Sequence, residues 1–421
     1  MKRFLIMVGM AAAAMMPAIV VRFMHLPMQP VVSTAVFGMA VLAAGFMLSW
    51  GAEAAESRIS QGLILAIVAL LTVLPEYAVD MYYAFQAGQH PESKYVHYAA
   101  ANMTGANRLL IGLAWPVLGL LHWWRSREKA ILLADVNSIE VGFLLLASLY
   151  AFVIVLKSSI GWVDAVVLIA LYTAYLWKIS SLSKADAAEE AGDDPEPAAA
   201  LNSLGKTAQW MWMAGLAIVA GAVIFVSAEP FAESIVASGR LFGMDEFLLI
   251  QWLAPLASEA PAVVIAVLFV LSGRAAGALT TLISDKINQW TLLVGMLPLA
   301  MSLGAASLMQ LPLDARQHEE FFLTAAQSLF GVSLLMRLRF SLMSALMLGV
   351  LFTSQVLIAF FYQHEPARAI TSLTTIGWLY LILALGNFAM HAANLKKIIA
   401  SVFRTAKPIP PSLSSFQRGG G

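Results

Sequence analysis

The chain has 421 residues, 60% of them hydrophobic and 12% charged, with 25 basic and 25 acidic side chains and no cysteine. A mean hydropathy of +0.79 is too apolar for a soluble enzyme, where the charged share runs near ~25%. The charge balance excludes a strongly basic nucleic-acid binder, and the missing cysteines exclude a disulfide scaffold, a thiolate metal site and a cysteine nucleophile.

About 20 mostly apolar residues cross a bilayer, and runs of that kind recur along the chain. Residues 1–25 hold the first, an extra N-terminal transmembrane helix or signal anchor. Five more spans are expected at 33–56, 60–86, 95–121, 138–157 and 161–180. The stretch 181–206 carries Asp186, Glu189, Glu190, Asp193, Asp194 and Glu196 with Pro195 and Pro197, and reads as an acidic loop. Five further spans follow at 208–238, 245–271, 275–305, 319–336 and 340–361, then an extra C-terminal helix at 370–393 and a tail at 394–421. This is an all-α polytopic membrane protein. With an alternating chain and a cytoplasmic N-terminus, 17 Lys and Arg fall on the cytoplasmic side and six on the other. That bias places both termini and the acidic loop in the cytoplasm and the protein in the inner or plasma membrane.

The two halves repeat one pattern. The first reads Thr72-Val-Leu-Pro75-Glu76, then Asn102-Met-Thr-Gly105-Ala-Asn107, then Leu109-Leu110-Ile111-Gly112. The second reads Pro255-Leu-Ala-Ser258-Glu259, then Asp285-Lys-Ile-Asn288-Gln-Trp290, then Leu292-Leu293-Val294-Gly295. An offset of 183 aligns Glu76 with Glu259, Asn102 with Asp285 and the two Leu-Leu-x-Gly runs. Ala52-Glu53-Ala54-Ala55-Glu56 resembles Ala228-Glu229-Pro230-Phe231-Ala232-Glu233 with one residue inserted. The helices bearing Glu76 and Glu259 run in opposite directions, so the repeats are inverted, an arrangement that places transport sites near the bilayer midplane. Pro75, Pro255 and Pro261 stand beside the acids, where they break the helices and free carbonyls for a cation.

On these motifs the sequence resembles the cation/calcium antiporter superfamily, the sodium/calcium exchangers and their prokaryotic relatives. Thr72, Pro75 and Glu76 match the family's first turn, Asn102, Gly105 and Asn107 its second, and Glu259 and Asp285 the acids of the other repeat. The resemblance spans about 33–361 and implies a ten-helix inverted-repeat antiporter core with one extra helix at each end. It also implies central cation sites and alternating access, with the helices at 33–56 and 208–238 sliding across the rest. Departures are Val73, Pro255, Leu256 and the run Asn288-Gln289-Trp290, where the family has hydroxyl and Gly-Ser-Asn positions.

Charged groups inside spans are costly and mark ion pathways. Thr72, Glu76 and Asp80 are spaced to share one helix face, and Thr281, Asp285 and Asn288 another. Their hard oxygens suit Na+ or Ca2+. The expected cation ligands are Glu76, Glu259, Asp285, Asn102, Thr72 and Asp80, with Arg108 and Lys286 as electrostatic modulators that fill charge held by cations in relatives. Glu229 and Glu233, near a helix end, read as solvated or at the headgroups. The expected partners are inorganic cations and the lipid bilayer, with no nucleic acid and no cofactor. The expected function is transport rather than catalysis: secondary-active antiport of Na+ or H+ against Ca2+ or another cation. The alternatives are cation:proton exchange without Ca2+, or a non-transporting relative that binds a partner in the membrane.

Overall fold

The computed structural model describes residues 1–56, 73–180 and 198–403. Thr72 and the first part of the span expected at 60–86 lie outside the described residues, as do the acidic stretch 181–197, the tail from 404, and the side chains of Glu53 and Glu56.

Helix α1 (Lys2–Met24) leads into the first repeat: α2 (Pro30–Glu56), α3 (Leu74–Gln89), α4 (Tyr95–Leu109), α5 (Trp115–Ser126), α6 (Ser138–Lys157) and α7 (Trp162–Ser180). The second repeat holds α8 (Lys206–Phe242), α9 (Glu246–Leu271), α10 (Ala275–Asn288), α11 (Val294–Ala305), α12 (Ala315–Leu334) and α13 (Leu342–Phe361). Helix α14 (Pro366–Met390) follows. A further helix, α15 (Ala392–Phe403), occupies the start of the expected tail and packs on α6. Among the described residues nine helices are long and apolar enough to cross a bilayer. Neither α3 nor α12 is among them; α12 carries Arg316, Glu319 and Glu320 in its first two turns.

Two features mark the repeat in the backbone. A five-residue π-helical turn joins α4 to α5 at Leu110–Ala114, and another joins α10 to α11 at Gln289–Leu293. Such turns are rare and concentrate at functional sites. They stand 179 residues apart, one helical turn short of the offset read from the acids. Four short strands, β1 (Ala130–Leu132), β2 (Ser159–Ile160), β3 (Leu311–Pro312) and β4 (Arg339–Ser341), form two antiparallel ladders. Ile131 pairs with Phe340, and Ile160 with Leu311. Each ladder takes one strand from each repeat, and exchanging the repeats converts one ladder into the other.

Helix starts are set by local chemistry. The Asp245 side chain caps α9 by accepting the Phe247 N–H at 2.9 Å, and Asp314 and Gln317 cap α12 reciprocally. Helix α2 packs along α8, α1 lies on both, and α14 covers α12.

Candidate cation site

Three proline-marked places build the centre. Pro75 opens α3 and puts Glu76 in its first turn. Glu259 lies within α9 between Pro255 and Pro261. Pro255 has no N–H to give the carbonyl four residues back, Gln251 O. A Cβ on Gly105 would fall 1.8 Å from that oxygen, so only glycine lets α4 come this close to α9. Gly45 of α2 does the same over the prolines: its Cβ would meet Pro261 Cγ at 2.7 Å and Pro75 Cγ at 3.5 Å. Helix α2 therefore crosses directly over both acid-bearing turns.

The acids of the two repeats meet. The Glu76 and Glu259 carboxyl groups are both buried and lie within interaction range of each other. Gln289, the first residue of the second π turn, donates its amide nitrogen to both: 2.7 Å to Glu76 Oε2 and 2.8 Å to Glu259 Oε1. Two carboxyl groups close enough for one amide nitrogen to reach both favour a proton or a cation between them, because two bare carboxylates repel. Asp80 accepts from Asn102 Nδ2 at 2.9 Å, and Tyr77 donates to Asn288 Oδ1 at 2.6 Å. Asp80 Oδ2, Asn102 Oδ1 and Gln289 Oε1 are buried without a protein partner. Such oxygens fit a bound cation or water.

The structure thus brings Glu76 and Glu259 together through Gln289, joins Asp80 to Asn102 in the same layer, and sets Asp285 within electrostatic range of Glu76. Thr281, expected on the same stripe as Asp285, is instead exposed and bonds Gly277 O. Among the described residues no three acidic or histidine side chains converge as a metal cluster. The centre is the Glu76–Glu259 pair, with the Asp80 carboxyl and neutral amide oxygens beside it and Asp285 in electrostatic range.

The two basic residues do different things. Lys286 donates to Asn107 Oδ1 at 2.5 Å and Asn107 O at 3.1 Å, lies 4.5 Å from the Trp290 ring centroid, and is in electrostatic range of Glu76 and Glu259. Arg108 turns away from the pair, forms an ion pair with Glu320 of α12, and stacks 5.0 Å from the Trp252 ring centroid. Gln327 donates to Arg108 O at 3.2 Å. Sequence reasoning passes over Gln289, Glu319 and Glu320. Gln289 falls in the run that reads as a lost motif. The two glutamates open the span expected at 319–336, where acids read as a helix end.

Glu229 and Glu233 hold α8 to its neighbours. Arg22 of α1 reaches Glu229 at 2.5 Å, and the hydroxyls of Tyr82 and Tyr95 donate to Glu233 at 2.7 and 2.5 Å. The latter two bonds tie α8 to α3 and α4.

Ten core spans in two inverted repeats, with α4–α5 and α10–α11 each counted as one span through its π turn and one buried acid from each repeat meeting at the centre, define an inverted-repeat membrane transporter. The family model described as sodium/calcium exchanger protein matches residues 29–180 and 212–361, and the chain belongs to this family. A crystal structure of the H+/Ca2+ exchanger CAX is 38% identical, covers 95% of this chain and 98% of its own, and superposes with a TM-score of 0.87. Native YfkE is 14% identical over 85% of this chain and 99% of its own, with a TM-score of 0.60. The sodium–calcium exchanger NCX_Mj is 15% identical over 78% and 99%, with a TM-score of 0.53. These last two share the fold. No curated relative matches the chain.

Proposed function

We propose that this protein is a secondary-active antiporter that exchanges protons for Ca2+ by alternating access. The observation that carries this reading is the Glu76–Glu259 pair, one carboxyl from each repeat, bridged by the neutral Gln289 amide. Two carboxylates balance the charge of one Ca2+, and the same two acids are neutral when protonated. Ca2+ binds the ionised form, so its arrival releases protons and their return expels it. The 38% identity to an H+/Ca2+ exchanger over 95% of the chain supports the proton, rather than Na+, as the counter-ion. Pro255 and Leu256, which offer no hydroxyl ligands, favour the same choice.

In this reading Glu76 and Glu259 are the central ligands, with Asn102 and Asp285 as side ligands. Asp80 orients Asn102, and Thr72 adds a hydroxyl or carbonyl. Gln289 holds the acids together when no cation is bound. Lys286 tunes the pair's affinity, and Arg108 supports the frame around it. Helices α2 and α8 slide, and α1 rides with them. The protein sits in the inner or plasma membrane with both termini and the acidic loop cytoplasmic, as the 17:6 bias of Lys and Arg supports.

The test is flux in reconstituted vesicles, with radiolabelled Ca2+ and an entrapped pH dye. A pH gradient should drive Ca2+ uptake, and Ca2+ should drive proton movement, with no Na+ present. Uptake driven by Na+ at clamped pH, with none from a pH gradient, overturns the choice of ion. Cysteines at Ala188 and at exposed Ser307 should label from opposite sides of the membrane; labelling from one side overturns the orientation.

A further inference from the structure

A second group of buried charges lies at the start of α12. Glu319 is 3% exposed, Glu320 2% and Arg108 1%. The charged groups in electrostatic range of Glu319 are Glu320, Arg108 and Arg316. Arg108 is taken by Glu320, and Arg316 by Asp245, at 2.5 Å. Three acids therefore face two bases, and the acid left over is Glu319, whose Oε1 is buried and touches no donor. An isolated carboxylate at such a place is strongly disfavoured, and the group takes up a proton instead. Neutral Glu319 costs far less than ionised Glu319 without a partner.

A cavity lies one helical turn from Glu319. It measures about 360 Å³ and opens among Lys94, His97, Asp245, Phe247, Asp314 and Arg316. Arg316, lying 4.0 Å from the Phe247 ring centroid, forms part of its wall. Glu319 is one helical turn further along α12. Of the groups that face this region from other elements, His97 contacts Gln317 and Asp314, and Tyr380 of α14 is in electrostatic range of Arg108.

We propose that Glu319 is a proton-binding site, loaded from this cavity and separate from the Glu76–Glu259 cation pair. Its charge acts on Arg108. Next to Arg108 in sequence, Asn107 holds Lys286 within range of the pair. A proton on Glu319 therefore biases the cation site from outside the cation path. The inference goes beyond the proposed exchange, and its test does not require transport.

The experiment is infrared spectroscopy of the purified full-length protein, following the carboxylic-acid carbonyl stretch and its shift in D2O. At neutral pH Glu319→Gln should remove one acid band, and Glu319→Asp should shift that band rather than abolish it. The band should persist at saturating Ca2+, which strips protons from the central pair, and at high Na+. If no band is lost in Glu319→Gln and none moves in Glu319→Asp, Glu319 is ionised and the proposal fails. A band that disappears on adding Ca2+ places Glu319 in the cation path, and one that disappears on adding Na+ makes it a cation site. Either result overturns the proposal. The Asp variant carries the assignment should the Gln variant fail to insert.

Discussion

Among the described residues two pairs of glutamates are buried, and they are compensated in opposite ways. Glu76 and Glu259 face a neutral amide that reaches both. Glu320 faces a guanidinium that cannot leave, with Glu319 beside it. An amide gives way to an incoming cation at the cost of two hydrogen bonds. A fixed arginine neutralises its acid permanently and excludes any other cation. The same residue type is therefore exchangeable in one place and structural in the other, and the nearest donor decides which.

The largest effect should come from the exchangeable pair. Glu76→Gln or Glu259→Gln should reduce Ca2+ flux to the background of empty vesicles while thermal stability stays near wild type. Wild-type flux in either variant would remove that acid from the site and erase the contrast. Next is Arg108→Ala, which strands Glu320 and should cost about 3–5 kcal/mol of stability, read as a lower melting temperature in detergent. A wild-type melting curve would mean that the ion pair does not hold the frame. Gln289→Ala frees both acids from a competing donor. A hydrogen bond to a charged group contributes about 1.5–3 kcal/mol, so Ca2+ should bind at least about tenfold tighter by calorimetry. Weaker binding would make Gln289 a required ligand. The smallest change is expected for Lys286→Ala. Removing this positive charge should raise Ca2+ affinity a few-fold, and leaving Asn107 Oδ1 without its donor should cost about 1–3 kcal/mol of stability. Unchanged affinity would confine Lys286 to a structural role.

Much of the architecture is legible in the chain because bilayer crossing imposes long apolar runs and charge asymmetry on it. The inverted repeat is legible because prolines and acids return at a fixed spacing. What escapes is set by contacts between distant residues. Nothing near Arg108 in sequence announces Glu320, more than 200 positions away. Gln289 looks like decay of a motif, and only the meeting of α3, α9 and the π turn shows that its amide spans both acids. Thr281 fits the face expected from helical spacing, but the actual rotation of α10 turns it outward. The strands, two or three residues long, are too short to leave a period in the sequence.

Those strands bear on how the protein is made. Ile131 cannot find Phe340, nor Ile160 its partner Leu311, until most of the second repeat has been synthesised. During translation the first five core helices wait in the bilayer with both ladder edges open. Closing contacts this distant in sequence is slow, and for that interval the half-built chain is exposed to mispairing and degradation. A first repeat expressed alone keeps those edges open indefinitely. Two halves produced as separate chains can supply them to each other.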